Sequence, residues 1–361
     1  MMFPSFEYME WAKTHPADPE VRFNLAGSGF DYADPGVIQP DFGRVRLSGP
    51  NFYGSESIRG RIAARYGVPV EHVLNVAGTS LGIFLTVAAL LEPGDEVLVE
   101  GPAYEHLVKA PGLVGGVVNR VGRGFGSGFR LDVDRIRHAL TPNTRLVVVS
   151  DLHNPSGRAL DAPTRAALLD LAETEGFTLF VDEVYRDFLS GPPGTIYEPG
   201  RPVVVASSLT KVYGMGMLRA GWLLGAPEFL HRAARVLNFL HVRDPFPMEP
   251  LIEAAFDHAD ELRARGLETA RAGMAVLTDW MSGRSDIQWS PPDGGLVAFP
   301  RLPHGISSAL FWRRLREEEA TLVVPGYFFD DDHHIRLGLA QGPDVVAAGL
   351  ERVGRLLDAM A

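Results

Sequence analysis

Cysteine does not occur in the 361 residues. Its absence removes a disulfide framework, a Cys-ligated zinc site and a thiol nucleophile, and it fits a reducing, cytoplasmic setting. Cations are in deficit: Lys+Arg number 34 against 45 Asp+Glu, a formal charge of -11. Nucleic-acid binding rests on clustered cations, so no nucleic-acid partner is expected. No apolar stretch is long enough to cross a bilayer. The longest, residues 81–91, contains Gly82 and Thr86 and reads as a buried helix. Residues 1–20 mix aromatic, acidic and proline residues without an apolar core, so no targeting segment is expected. No collagen, heptad or solenoid repeat is visible. What remains is 46% hydrophobic and 22% charged, the balance of a folded chain with room for about two domains.

The middle of the chain alternates short β-branched runs with helical patterns. The runs 96–99 (EVLV), 145–149 (RLVVV), 178–181 (TLFV) and 202–206 (PVVVA) each follow a turn rich in Pro, Gly or Asn. Residues 162–175 have helical spacing, with Pro163 near the start. Buried runs separated by helices predict an α/β fold with a mostly parallel sheet covered on both faces. Further on, residues 250–281 predict one long helix, with Gly266 and Gly273 as weak points. The runs 296–299, 321–324 and 335–339 predict short strands, and 307–319 and 343–360 predict helices. This suits a smaller α+β domain. The expected division is a large domain over residues 46–275 and a small domain combining 1–45 with 276–361.

In open α/β sheets, ligands bind beyond the carboxyl ends of the strands. The residues after the four runs are therefore the informative ones. They supply Tyr104, then Asn154 within Asn154-Pro155-Ser156-Gly157, then Asp182 and Tyr185, then Ser208 and Lys211. Before them, Gly78-Thr79-Ser80 opens a helix, where free N–H groups and the dipole favour a phosphate. A phosphate seat, a stacking ring, a buried carboxylate, a phenol and one lysine together match the needs of pyridoxal 5′-phosphate. Each residue alone has an ordinary reading as a surface lysine, a cap or a turn. No metal site is expected. His333-His334 follow three aspartates, but adjacent strand residues point to opposite faces, so the segment reads as a solvated acidic loop.

The motifs, in order, resemble those of the class I/II aminotransferases, fold type I pyridoxal-phosphate enzymes. The resemblance runs from about Asn24 to Arg336. Ser208-Leu209-Thr210-Lys211 followed by Arg219-Ala220-Gly221-Trp222 matches the family's S-x-x-K and R-x-G-W, with Arg219 eight residues after Lys211. Asn154-Pro155-Ser156-Gly157 matches N-P-x-G, and Asp182-Glu183-Val184-Tyr185 matches D-E-x-Y. The resemblance implies an aspartate aminotransferase-like fold. It implies that Lys211 forms the Schiff base with the cofactor and shuttles a proton, while Asp182 pairs with the pyridine nitrogen. Tyr185 and Asn154 would bond the ring 3′-oxygen, and Tyr104 would stack on the ring. Gly78, Thr79, Ser80, Ser208 and Arg219 would hold the phosphate, and Arg336 would clamp the substrate α-carboxylate as a bidentate fork. Tyr53 matches the tyrosine that the family's second subunit offers, which implies a homodimer with sites at its interface.

Two stretches depart from the family pattern. The segment after Tyr53 is shorter than usual, and the N-terminal glycine–proline motif is replaced by Gly27-Ser28-Gly29-Phe30, where Gly29 is the nearest match for a substrate-binding glycine. The implied reaction is transfer of an amino group between an L-amino acid and a 2-oxo acid. The same residues also serve β- or γ-elimination, decarboxylation and cyclisation. Relatives that sense effectors carry an additional DNA-binding domain, for which the sequence before the fold leaves no room. A Rossmann dehydrogenase is disfavoured by the lack of G-x-G-x-x-G after an early strand. The side-chain pocket stays open: Arg22, Arg44, Arg46, Lys109 and Arg243 offer cations, and Phe30, Tyr32 and Phe246 offer an apolar wall.

Overall fold

The computed structural model describes residues 4–32, 34–51, 54–242 and 244–361. Seven strands build the main sheet: β1 Val73–Ala77, β2 Glu96–Gly101, β3 Val117–Gly122, β4 Thr144–Ser150, β5 Thr178–Asp182, β6 Val203–Ser208 and β7 Ala220–Leu224. Their spatial order is β1-β7-β6-β5-β4-β2-β3. Strands β2 to β6 pair in parallel, and only β7 runs antiparallel to its neighbours β1 and β6.

Alternate residues of the central strands enter different cores. Val147, Val149, Leu179, Val181 and Val205 face one side with Leu168 and Leu171 of the helix Ala162–Glu175. Leu146, Val148, Phe180 and Val204 face the other, with Ile83 and Leu85 of Thr79–Leu90 and Leu230 and Ala233 of Pro227–Leu240. That two-sided burial is why these strands read as continuous apolar runs. Each buried Leu, Val or Phe stabilises by about 1.5–3 kcal/mol over an exposed one.

A third core joins the two ends of the chain. Tyr8 and Trp11 of the helix Glu7–Thr14, with Leu25, pack against Leu277, Phe311, Leu337 and Leu350. Strands Val324–Pro325, Ile335–Gly338 and Val297–Ala298 form a three-stranded antiparallel sheet there. Ile38 and Leu296 pack instead with the large-sheet core.

Three local expectations fail. The predicted helix 250–281 is two helices, Glu249–Asp257 and Ala259–Ser282, parted at His258 with φ -104 and ψ 13. Asp257 and Asp260 pair with Arg61 and Arg65 of the helix Glu56–Tyr66, one on each side of the bend, contacts that periodicity cannot register. Gly266 and Gly273 are not weak points but close approaches: a Cβ would stand 2.0 Å from the Val212 carbonyl oxygen and 2.4 Å from that of Leu339. The strand over 321–324 is divided, with Thr321–Leu322 pairing with Phe23–Asn24 and Val324–Pro325 with the three-stranded sheet.

The acidic loop before His334 is also not simply solvated. His334 is 2% exposed, stacks on Phe299 at 4.7 Å and pairs with Asp331 at 2.9 Å. Among the described residues no group of His, Asp or Glu is placed to hold a metal. No described helix is long and apolar enough to cross a membrane.

Candidate active site

The carboxyl ends of β2, β4, β5 and β6 open onto one cavity of about 480 Å³. Thr79, Ser80, Tyr104, Asn154, Asp182, Tyr185, Ser208, Lys211, Arg219 and Arg336 all line it. Lys211 lies in the turn after β6, and its Nζ donates to Ser28 Oγ at 2.8 Å. The nitrogen stands 5.4 Å from the centre of the Tyr185 ring. Burial pushes the Lys211 amine down to about 8, with Arg336 adding to the shift and Tyr8 and Asp182 opposing it.

Asp182 is the last residue of β5 and is 6% exposed. It accepts from the Val184 amide at 3.0 Å and forms no direct ion pair among the described residues, although the Lys211 ammonium favours its charged form from across the cavity. Burial pushes its carboxyl up to about 6, and Glu100 reinforces the shift. Tyr185 donates to the Ser28 carbonyl at 2.7 Å. The loop carrying Asn154 is fixed through buried His153, which bridges Ser156 Oγ at 2.6 Å and the Pro102 carbonyl at 2.7 Å. That bridge ties the end of β4 to the segment that presents Tyr104.

The phosphate end is a chain of hydroxyls at a helix N-terminus. Thr79 donates to Ser208 at 3.1 Å, and Ser208 donates to Thr210 at 2.8 Å. Gly78 precedes the helix Thr79–Leu90 with φ +85, and a Cβ there would stand 2.2 Å from Arg219 Nη2. Only glycine allows both the backbone and the guanidinium. Arg219 itself holds φ +52, an uncommon state for a side-chain-bearing residue. Its guanidinium donates to the carbonyls of Gly216 (3.1 Å) and Ala77 (3.2 Å) and meets no carboxylate among the described residues.

Arg336, in Ile335–Gly338, is 0% exposed. It donates to Asn154 Oδ1 (3.2 Å), the Tyr8 hydroxyl (2.7 Å) and the Ala26 carbonyl (3.1 Å), and its Nε has no partner. A buried guanidinium without an acid among the described residues is a cation waiting for an anion.

These groups fit pyridoxal phosphate. The hydroxyl chain and Arg219 suit a dianion, the buried carboxylate of Asp182 suits a protonated ring nitrogen, and the amine of Lys211 shares the cavity with both. Gly29 does not line this cavity but the adjoining groove, where a Cβ would stand 3.3 Å from Lys211 Cδ. Tyr53 and Arg243 lie outside the described residues. Of the candidate side-chain cations, Arg22, Arg44, Arg46 and Lys109 do not line the cavity: Arg44 pairs with Glu253 and Lys109 with Glu105. Phe30 lines the adjoining groove, and Tyr32 a separate pocket.

The sequence reading missed the N-terminal contribution. Tyr8, Met9, Ala12 and Lys13 line one wall of the cavity, and Ser28 holds the lysine. The only local signal was apolar and aromatic spacing at Tyr8, Met9 and Trp11, which marks a helix face but not what it covers.

The family model for aminotransferase class I and II matches residues 41–351. Over 367 residues the chain is 31% identical to a capreomycidine synthase from Streptomyces vinaceus, covering 95% of this chain and 93% of that protein. It is 27% identical over 364 residues to an arginine–pyruvate transaminase from Pseudomonas aeruginosa, covering 96% and 92%. A solved PLP-dependent cyclase, OrfR, has a TM-score of 0.88 at 27% identity, over 100% of this chain and 98% of that one. The fold recurs in solved PLP-dependent aminotransferases and is aspartate aminotransferase-like, fold type I, as the sequence motifs implied. On the match over residues 41–351 the chain belongs to the class I and II aminotransferase family, whose cofactor, pyridoxal phosphate, is also its own.

Proposed function

We propose that the protein is an aminotransferase that moves an amino group between an L-amino acid and a 2-oxo acid. One observation carries the reading: the buried, acid-free guanidinium of Arg336 shares a cavity with the lysine amine. An α-amino acid presents a carboxylate beside the very carbon whose bonds must change. Bound in the cavity, pyridoxal phosphate supplies an electron sink that acidifies the substrate's α-proton.

The chain's own groups do the rest. Lys211 Nζ would hold the cofactor through its aldehyde, and the same amine would take and return the proton at the substrate's α-carbon, a role suited to an amine brought down to about 8. Asp182 would keep a proton on the ring nitrogen, Tyr185 and Asn154 would fix the ring oxygen, Tyr104 would stack on the ring, and Gly78, Thr79, Ser80, Ser208 and Arg219 would hold the phosphate. Arg336 orients the substrate by its carboxylate, assisted by Asn154, with Gly29 beside the lysine.

We further propose a homodimer that completes the site, with Tyr53 reaching the partner's phosphate. The exposed side chains of Phe239 (90%), Met217 (82%) and Val242 (71%) support a covered surface. The domain division at residues 46–275 is supported by the separate core that joins the chain ends. The absence of cysteine supports a cytoplasmic location.

The test is a half-reaction. An amino-donor panel that includes arginine should convert the bound cofactor to its amine form, releasing one 2-oxo acid per site, and a second 2-oxo acid should restore it with ping-pong kinetics. Continuous turnover of one amino acid without added 2-oxo acid would overturn transamination. It would favour a second reading, cyclisation or elimination, which the synthase and cyclase relatives and the unusual Gly27-Ser28-Gly29-Phe30 segment support.

A further inference from the structure

The N-terminal helix brings to the cavity a group that no strand end supplies. Glu105 accepts from the backbone amides of Glu7 (3.1 Å) and Tyr8 (2.7 Å), and Lys109 donates to the Ser5 carbonyl at 2.9 Å. Amides in the first turn have no partner inside the helix, so a carboxylate placed there fixes the helix in position. The Tyr8 ring is 6% exposed and stands edge-on to Tyr104 at 5.9 Å and to Phe328 at 5.6 Å. Its rotation is thereby confined, and its hydroxyl meets Arg336 Nη2 at 2.7 Å.

A phenol has one proton to give as well as lone pairs to offer. Arg336 uses a lone pair, and among the described residues nothing accepts the Tyr8 proton. Arg336 Nε also lacks an acceptor. Tyr8 and Arg336 both line the cavity, and each keeps a donor without a partner, one neutral and one cationic. Unmet buried donors are costly. A two-oxygen anion satisfies both, and the amino acid brings one.

We propose that Tyr8 is a substrate-binding residue whose hydroxyl donates to the α-carboxylate held by Arg336. The carboxylate is then recognised from two sides, by the strand Ile335–Gly338 and by the helix Glu7–Thr14. This rests on the reading of Arg336 as the carboxylate clamp.

The test uses the holoenzyme, its Tyr8→Phe and Arg336→Gln variants, and two probes that each carry half of an amino acid. Propionate has the carboxylate without the amine, and propylamine the amine without the carboxylate. Tyr8→Phe keeps the ring and its packing. It should weaken propionate binding, measured by calorimetry, about tenfold, the scale of a hydrogen bond to a charged group. The KM for the amino acid should rise by a similar factor while kcat and the reaction with propylamine stay within twofold. Propionate binding within twofold of wild type in Tyr8→Phe overturns the assignment. An equal loss with propylamine overturns it too, since Tyr8 would then act on the lysine or the packing. If Arg336→Gln abolishes propionate binding and Tyr8→Phe does not, only the Tyr8 assignment falls. If Arg336→Gln binds propionate as wild type does, or wild type does not bind it, the clamp reading falls and Tyr8 with it.

Discussion

Two regions meet at the cavity, and they differ in how their residues get there. The strand-end residues Tyr104, Asn154, Asp182 and Lys211 follow apolar runs of the central sheet, and each is placed by the strand just before it. The N-terminal residues Tyr8 and Ser28 reach the same space only through pairings across the chain: 328 positions separate Tyr8 from Arg336 and 183 separate Ser28 from Lys211. The first region is fixed by local pattern and the second by docking. Chemistry that must not drift stands on the sheet, and the wall that must admit a substrate stands on a helix held by polar contacts to Glu105 and by the packing of Tyr8 and Trp11 in the core of the chain ends.

The comparison breaks if the strand ends prove dispensable. Lys211→Ala should lower turnover by about 10⁴-fold or more, the upper range for losing a group that moves protons. It should also abolish covalent cofactor attachment, seen as loss of the mass increment on the Lys211 peptide after borohydride reduction. Retention of that increment on another lysine would move the reactive centre away from the end of β6.

Asp182→Asn comes next, with an expected loss of about 10³-fold, as for removal of a preorganised electrostatic partner. It carries an opposite effect on stability. Burial raises the folded carboxyl to about 6, above its ordinary 3.8. Between those values the folded state binds more protons than the unfolded state, so stability falls as pH rises from about 4 to about 6 and the cost is complete above that. Cofactor-free Asp182→Asn should therefore be more stable than cofactor-free wild type at pH 8, by about 3 kcal/mol, and nearly level with it near pH 4. Thermal melts at the two values decide this. No gain at pH 8 would mean that the carboxylate has a cation partner in the cofactor-free protein.

Arg336→Gln should lower kcat/KM for amino acids by about 100-fold, the scale of charge-assisted hydrogen bonds. Its effect on an amine lacking a carboxylate should be small. Equal losses on both would make Arg336 a support for Asn154 and Tyr8, not a clamp.

The parts of the fold legible in the sequence were those where burial on both faces leaves a continuous apolar run: β2, β4, β5, β6 and the helix Thr79–Leu90. Strands β1, β3 and β7 were missed for identifiable reasons. β3 lies at the sheet edge with only Val121 buried, so its run VVNRVG looks polar. β1 is interrupted by Asn75. β7, AGWLL, is short and carries Gly221 in its interior, which weakens the strand pattern. The break at His258 and the burial of His334 depend on partners far along the chain, Arg61 and Phe299 among them. The same reason hid Tyr8 and Ser28. Pattern reports which face of an element is apolar, but not which distant element will cover it.

Ser28→Ala is the smallest test and the one that speaks most directly to the docked wall. Ser28 Oγ accepts from Lys211 Nζ at 2.8 Å, and the Ser28 carbonyl, which the substitution keeps, accepts from Tyr185. A hydrogen bond that accepts from an ammonium favours its charged form, so removing it should shift the amine further in the direction burial already takes it, below about 8. In the cofactor-free protein, the pH midpoint for labelling Lys211 with an amine reagent, followed by mass spectrometry, should therefore move down in Ser28→Ala. Turnover should fall only about threefold to tenfold, in line with one net hydrogen bond, because the strand ends still hold the remaining groups. An unchanged midpoint would show that the N-terminal segment covers the lysine without holding it, and the docked wall would then act on the substrate alone.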